Sequence, residues 1–339
     1  MTEPNGAVPA PAAFVLRRED LPEPEAGAVL DGGLVAEPAV ATVELSGPGA
    51  VACVQGLLTN DVEQPGEGSF VYGAVLTPKG MIVCDMWATR ERGAVRLTVP
   101  RHGLGALEGV FQHSLPPRLA RAVDRTADVV TFHLAGPRAV ELAVRAGLAA
   151  PAEGRAATAI VGEGACVVAR PHAGAPFALQ ITVPAPHAGA VRRHFVAAGL
   201  MAASPHALDL ARIVAGWPRL GAEIDGKTLP QEVRYDAIGG VSYTKGCYTG
   251  QETVARLHFR GHPNRSLLGL SWDATPRFDL TDVVQGDVNR GRISSIAWVA
   301  PIERYLGLAM LRRETDFGTP VVAAGAPASV VELPFALEA

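Results

Sequence analysis

The densest concentration of reactive groups runs from Gly239 to Arg256 and reads Gly-Gly-Val-Ser-Tyr-Thr-Lys-Gly-Cys-Tyr-Thr-Gly-Gln-Glu-Thr-Val-Ala-Arg. It sets a thiol, an ammonium, a carboxylate, an amide and two phenols among glycines. Gly246 and Gly250 admit backbone conformations closed to bulkier residues. Lys245 stands two residues before Cys247, where its charge favours the nucleophilic thiolate. Gln251, Glu252 and Arg256 follow at a predicted helix or strand start. Cys53, Cys84 and Cys166 lie in apolar runs, where a thiol packs as a small hydrophobe. Cys247 is therefore the candidate functional thiol and Lys245 its candidate supporting charge. The plainer reading of the same stretch is a polar turn that buries a cysteine.

Other chemistry is weaker. His258 and His262 have the i, i+4 spacing of a helical metal pair, but Gly261 and Pro263 argue against a continuous helix and no acidic partner follows. No metal site is predicted. The four cysteines lack the spacing of a self-contained iron–sulfur site, and no nucleophile elbow is present. Gly103, Gly105 and Gly109 follow a strand as a dinucleotide turn would, with Asp124 beyond. A sister segment described below keeps the same helix without those glycines, so a structural role is preferred. Arg192-Arg193 and Arg312-Arg313 read as solvated faces.

The elements that must position these groups come from a chain of 339 residues, long enough for two or three domains. Lys plus Arg number 30 against 34 Asp plus Glu, a net charge of −4, which excludes a strongly basic nucleic-acid surface. With 48% hydrophobic and 19% charged residues the chain affords a large core, and 37 Gly with 27 Pro imply many short elements. No apolar run reaches the roughly 18 residues of a membrane span, and the N-terminus lacks the features of a secretory signal. Sparse cysteine points to a reducing compartment, so a cytoplasmic protein is expected.

An internal repeat organises the first two hundred residues. Val43 to Val51 resembles Phe132 to Val140, each a strand followed by Gly-Pro and a helix. Proline is expected at the first helical position, with helices to about Leu58 and Ala146. Leu97-Thr98-Val99-Pro100 matches Ile181-Thr182-Val183-Pro184 at a similar offset, and Leu107 and Phe111 then answer to Val191 and Phe195. Two tandem α+β units of ferredoxin-like character follow. Beyond Ser266 short strands recur at 267–272, 283–285, 291–299, 306–312, 321–324 and 329–333, the pattern of a small antiparallel barrel. The predicted division is a disordered tail at 1–13, α+β units at 14–126 and 127–205, a signature segment at 206–262 packing on both, and a C-terminal barrel at 263–339.

Lys245 to Arg256, K-G-C-Y-T-G-Q-E-T-V-A-R, resembles the signature of the YgfZ-type folate-binding proteins. The resemblance extends to Gln55 to Val62, Ala215 to Pro218, Leu229 to Glu232 and Phe259 to Gly261, covering most of the chain in order. The wider superfamily includes the glycine-cleavage T-protein, an aminomethyltransferase. The resemblance implies a three-domain cloverleaf around a central folate channel, with segments exchanged between the first two domains. It also implies tetrahydrofolate as cofactor, and a role in iron–sulfur cluster assembly or repair with an indirect effect on tRNA modification. Iron–sulfur assembly proteins or client enzymes would be partners, with no direct contact to nucleic acid or membrane. Asn60, Asp61 and Glu232 become candidate pterin contacts and Arg256 a candidate carboxylate partner. Arg212, Tyr248, Gln251 and Glu252 complete the candidate folate site, and Lys245 has the folate tail as a second possible partner.

Two departures separate the chain from the aminomethyltransferases. Where they resemble one another in G-G-x-I-D-D, this chain has Lys79-Gly80-Met81-Ile82-Val83-Cys84-Asp85. Asp85 falls one place late, and one step in a strand moves a side chain to the opposite face, so it is predicted to face away. Where they have R-x-E-x-G, this chain has Arg212-Ile213-Val214-Ala215-Gly216, and valine accepts no pterin N–H. A folate-dependent aminomethyl- or methyltransferase is thus the second reading, and a protein-docking scaffold with a vestigial folate channel the third.

Overall fold

The computed structural model describes residues 13–162 and 164–337. The expected tail at 1–13 lies outside them except for Ala13. Three sheets form. The first runs in the order Phe70–Leu76, Ile82–Glu91, Ala94–Pro100, Val40–Ser46, Arg121–Asp124, every pair antiparallel. The second repeats that order with Arg155–Val161, Gly164–Arg170, Leu179–Pro184 and Val129–Ala135. It then admits Leu34–Ala36 before closing on Met201–Ala202. The inserted strand comes from the N-terminal segment and occupies the place that Arg121–Asp124 holds in the first sheet. The repeat is therefore a repeat of topology, with one strand lent across it.

Each unit carries two helices on one face of its sheet, Ala50–Gln55 with Leu104–Ser114 and Ala139–Arg145 with Ala188–Ala197. The matched anchors Leu107, Phe111, Val191 and Phe195 are all buried there. The repeated Gly-Pro forms a turn rather than a helix start: Gly49 and Arg138 are the N-caps, one residue after the prolines. Gly47 and Gly136 take positive φ of 126° and 94°, and a Cβ on Gly136 would stand 2.4 Å from the Ala28 carbonyl oxygen. Glycine is required in both places. The first helix stops at Gln55, short of Leu58, because Leu58 turns to form a bridge with Val75.

Alternation along the strands gives each sheet a second, helix-free face. Leu97 and Val99 pack under the helices while Thr98 points away, as Phe132 and Leu134 do around His133. The two helix-free faces meet, and Gln180 Nε2 donates to Thr98 Oγ1 across the junction at 3.1 Å.

The third sheet closes into a six-strand antiparallel barrel. Val288–Val299 pairs with both Asp282–Gln285 and Arg304–Arg312, and the ring continues through Val321–Ala323, Ala326–Val331 and Arg265–Trp272. Phe14–Leu16 adds to it in parallel beside Val288–Val299. The first unit thus does not begin at residue 14. Phe14–Leu16 belongs to the barrel and Leu34–Ala36 to the second sheet, because Leu16, Leu34 and Ala36 bury their side chains in the central apolar cluster. That cluster is built around helices Glu23–Leu30 and Pro205–Val214. The Gly103 turn serves packing, since a Cβ there would meet Leu220 and Cys84, whereas Gly105 and Gly109 face open space.

Candidate functional site

Where the helix-free faces meet helix Pro205–Val214, a cavity of about 540 Å³ opens, within the range of small-molecule sites. Tyr72, Asp85 and Trp87 line it from the first sheet, Phe177 from the second unit, and Arg212 and Trp217 from the helix and its following turn. Trp87 stacks on Trp217 at 5.7 Å and 15°, with Phe177 edge-on to Trp87 at 5.1 Å. The wall is mostly apolar, with stacked aromatic faces at its centre, and Asp85, Thr98, His102, His133, Asp209, Arg212 and Arg219 interrupt it.

Of these, Asp85 has a buried side-chain oxygen without a hydrogen-bond partner among the described residues. Its pairing explains why it faces the cavity: Leu76 pairs with Ile82 and Val75 with Cys84, so Val83 is an extra, bulged residue. Before the bulge Ile82 lies on the Tyr72 side; after it Cys84 turns into the helix-covered core and Asp85 takes the cavity side. The predicted outward orientation of Asp85 is thereby corrected, since strand parity assumed an uninterrupted strand. Tyr72 donates its hydroxyl to Asp85 Oδ2 at 2.9 Å. Tyr235 lies 3.2 Å from the Tyr72 oxygen and, with that proton already committed, must donate to it. Asp85 Oδ1 is buried without a hydrogen-bond partner among the described residues. Burial pushes the Asp85 carboxyl up to about 6, against the lowering effect of the Tyr72 bond and of His102. Burial likewise pulls His133 down to about 4, so this imidazole is neutral at pH 7; its Nε2 lies 3.3 Å from Gln180 Oε1.

Other site residues predicted from sequence hold the frame of this cavity. Arg212 lies on its wall, but its guanidinium donates to Asp209 at 3.2 Å, Glu223 at 3.1 Å and Ser295 at 2.9 Å, tying the helix to the barrel. Glu232 pairs with barrel Arg265 through both oxygens, at 2.8 and 3.0 Å, and accepts the Leu229 N–H. Asn60 donates to the Tyr72 and Gly239 carbonyls, at 2.8 and 2.7 Å. Asp61 caps its own turn through Glu63, Gln64 and Gln55, bonds that hold its carboxyl below the usual range despite the opposing effect of burial. Neither Asn60, Asp61 nor Glu232 lines the cavity. Val214 packs against the central cluster instead of the pocket.

Lys245 departs most from its expected role. Its ammonium donates to the carbonyls of Gln55, Leu58 and Asn60 at 2.7, 2.7 and 2.8 Å, which occupies all three protons. Burial lowers its pKa to about 8 against the pull of Asp61 and Glu63. It is a staple that fastens the signature loop to the first unit, with nothing left to offer a thiolate or a ligand carboxylate. Tyr248 is buried beneath it, its hydroxyl pushed up to about 12 by burial and Asp236.

Cys247 itself is exposed, whereas Cys84 and Cys166 are buried and Cys53 half-buried. Burial pushes the Cys84 and Cys166 thiols up, the latter to about 11. Helix Gln251–Arg260 follows, with Glu252 and Arg256 on its solvent side. Gln251 opens that helix without lining the cavity. His258 stacks on Tyr243 at 3.6 Å and contacts Asp236, while His262 contacts Arg313. The thiol loop and the cavity are thus separate places. Tyr72, Trp87 and Tyr235 escaped the sequence reading, and Asp85 was read there with the wrong orientation.

The sequence matches the GCVT N-terminal domain family over residues 25–240. This chain belongs to that family. The tRNA-modifying protein YgfZ of Colwellia psychrerythraea is 42% identical over 77 residues, 23% of this chain and 24% of that one. Its Escherichia coli counterpart is 48% identical over 63 residues, 19% of each chain. The matches span less than a quarter of these relatives' length. The glycine cleavage system aminomethyltransferase T of Bartonella henselae superposes with a TM-score of 0.75 over 92% of this chain and 88% of that one, at 17% identity. At that identity the likeness concerns the fold alone. No helix among the described residues is long and apolar enough to cross a membrane.

Proposed function

We propose that this protein binds tetrahydrofolate in the aromatic cavity and assists assembly or repair of iron–sulfur clusters, with Cys247 as its working thiol. The observation that carries the folate reading is a wall of stacked indoles broken by one buried, half-partnered carboxyl, in a GCVT-family fold. The residues present fit the cofactor. Trp87, Trp217 and Phe177 offer faces to a flat ring and Asp85 an acceptor for ring N–H groups, while Arg219, partly exposed at the rim and paired with Asp209 at 2.6 Å, keeps further guanidinium donors for the acidic tail. Bound folate would supply a carrier for one-carbon units; the chain binds it, orients it and excludes water.

Cys247 sits outside that cavity on an open surface, suited to meeting a cluster, a sulfur species or a partner thiol. Phe259, 69% exposed, packs edge-on to Tyr243 and His258 on the helix that follows the loop and gives a partner protein an apolar foothold. A cytoplasmic location and an indirect effect on tRNA modification belong to this reading; the relatives' name supports the latter. Cys247→Ala should abolish rescue of iron–sulfur enzyme activity in a deletion strain while leaving tetrahydrofolate binding intact. Full rescue by that variant would remove the thiol from the mechanism. A second reading, folate-dependent one-carbon transfer, gains from the acid that the bulge returns to the pocket. It requires turnover of a methylamine-bearing substrate with tetrahydrofolate, and Asp85→Asn should abolish that turnover.

A further inference from the structure

Helix Gln251–Arg260 ends in a patch of charge that the cavity does not use. Arg256 and Arg260 stand one turn apart on its exposed side, with the exposed ring of Phe259 beside them. The chain then turns through Gly261 and His262 onto the barrel. There Arg313 contacts His262, and its backbone N–H donates to the Asn264 carbonyl at 3.0 Å. Arg312 pairs directly with Arg265 on the neighbouring strand. The exposed side chains of Arg256, Arg260, Arg312 and Arg313 thus follow one another along the junction of helix and barrel.

Their surroundings set these arginines apart. Other surface arginines meet carboxylates, as Arg125 meets Glu44, Arg138 meets Glu141 and Arg277 meets Asp279. None of the four has a carboxylate at salt-bridge distance among the described residues. Like charges opposite each other on adjacent strands destabilise a sheet. Arg265 has Glu232 at 2.8 Å to offset this, whereas Arg312 has no such neighbour among the described residues. Unpaired guanidiniums around an exposed aromatic ring are the composition of a protein interface. The loop that carries Cys247 also carries Tyr243, which stacks on His258 of this helix, so the thiol loop runs along the helix that bears the patch.

We propose that this surface docks an acidic segment of a partner protein, its carboxylates on the arginines and an apolar side chain on Phe259. The inference rests on the reading of Cys247 as a thiol that meets a partner, and it names the chemistry of that partner. Charge complementarity selects an acidic segment. Glu252, one turn before Arg256, and Glu314 and Asp316 beyond Arg313 are exposed around the patch. They repel the unbroken row of phosphates on a nucleic acid, whereas the carboxylates of a protein segment can be spaced to avoid them.

The probes are a fluorescent glutamate-rich peptide with a central leucine, the same peptide with glutamine for glutamate, the same with serine for leucine, and a single-stranded RNA of equal net charge. Each is titrated by anisotropy into wild type, Arg260→Glu/Arg313→Glu and Phe259→Ser, with thermal unfolding to check the fold. The glutamate–leucine peptide should bind wild type. The double variant and the glutamine peptide should each lose at least about tenfold in affinity, and Phe259→Ser and the serine peptide should also bind less tightly. Undiminished binding to the double variant, or equal affinity for the glutamine peptide, overturns the proposal. Tighter binding of the RNA overturns it in favour of nucleic acid. If a variant does not fold, the peptide substitutions still decide. Rescue of a deletion strain separates this inference from the thiol reading. Full rescue by Arg260→Glu/Arg313→Glu with none by Cys247→Ala overturns the docking surface alone; full rescue by Cys247→Ala removes the thiol reading, and the titrations then decide the docking surface by themselves.

Discussion

Lys245 and Asp85 are both buried ionisable groups, and their surroundings give opposite expectations. Lys245 satisfies three carbonyls of one turn, so Lys245→Met leaves three buried acceptors unpaired and should cost about 3 kcal/mol in urea unfolding. Asp85 ionises at about 6 in the folded chain against 3.8 as the ordinary value. Between those pH values the folded chain holds the proton more tightly, so this group's contribution to stability is present at low pH and falls as pH rises through 6. The stability of wild type relative to Asp85→Asn should drop by about 3 kcal/mol from pH 4 to pH 7, with Tyr72, Tyr235 and His102 as the facing groups. The thiols give a third expectation. A native-state alkylation read by mass spectrometry should label Cys247 quickly and leave Cys84 and Cys166 until the chain unfolds. Rapid native labelling of Cys84 would contradict the packing described.

At the scale of elements, the Gly-Pro turns and the strand bulge decide where side chains point. Gly136→Ala places a Cβ 2.4 Å from a carbonyl at φ 94°, whereas Gly147→Ala, at φ 83°, meets nothing within 4 Å. The first should cost at least about 3 kcal/mol by equilibrium unfolding and the second only about 1. The repeat was legible because Leu107 and Phe111 keep their counterparts Val191 and Phe195, and the barrel because its strands alternate between turns. The lent strand Leu34–Ala36 was not, since three apolar residues carry no mark of which sheet they will join. Polar residues on the helix-free faces are equally unmarked in the sequence. Thr98, Thr131, His133 and Gln180 alternate as solvent-facing residues would, yet they are buried because the two sheets face each other. The signature was recognised as important, but residue type alone could not tell staples from ligands. Lys245, Asn60 and Glu232 are held by distant carbonyls and charges that only the folded chain assembles. Asp85 was misassigned for a narrower reason, as one bulged residue reverses strand parity.

The whole molecule places the cavity where three bodies meet, two related sheets and a helix tied to the barrel, so no single unit contains it. The Arg212–Glu223–Ser295 bonds secure that junction. Arg212→Ala should loosen the barrel's attachment and weaken ligand binding without moving a group that points at the ligand. Cys247, outside the cavity, belongs to a separate surface, and the two sites should be separable by mutation. The most direct measurement is a calorimetric titration of tetrahydrofolate into wild type and Cys247→Ala. Equal binding to both is the expected result, with folate in the cavity and the thiol free for its own task. Absence of binding to wild type would contradict the account and turn attention from folate to protein partners.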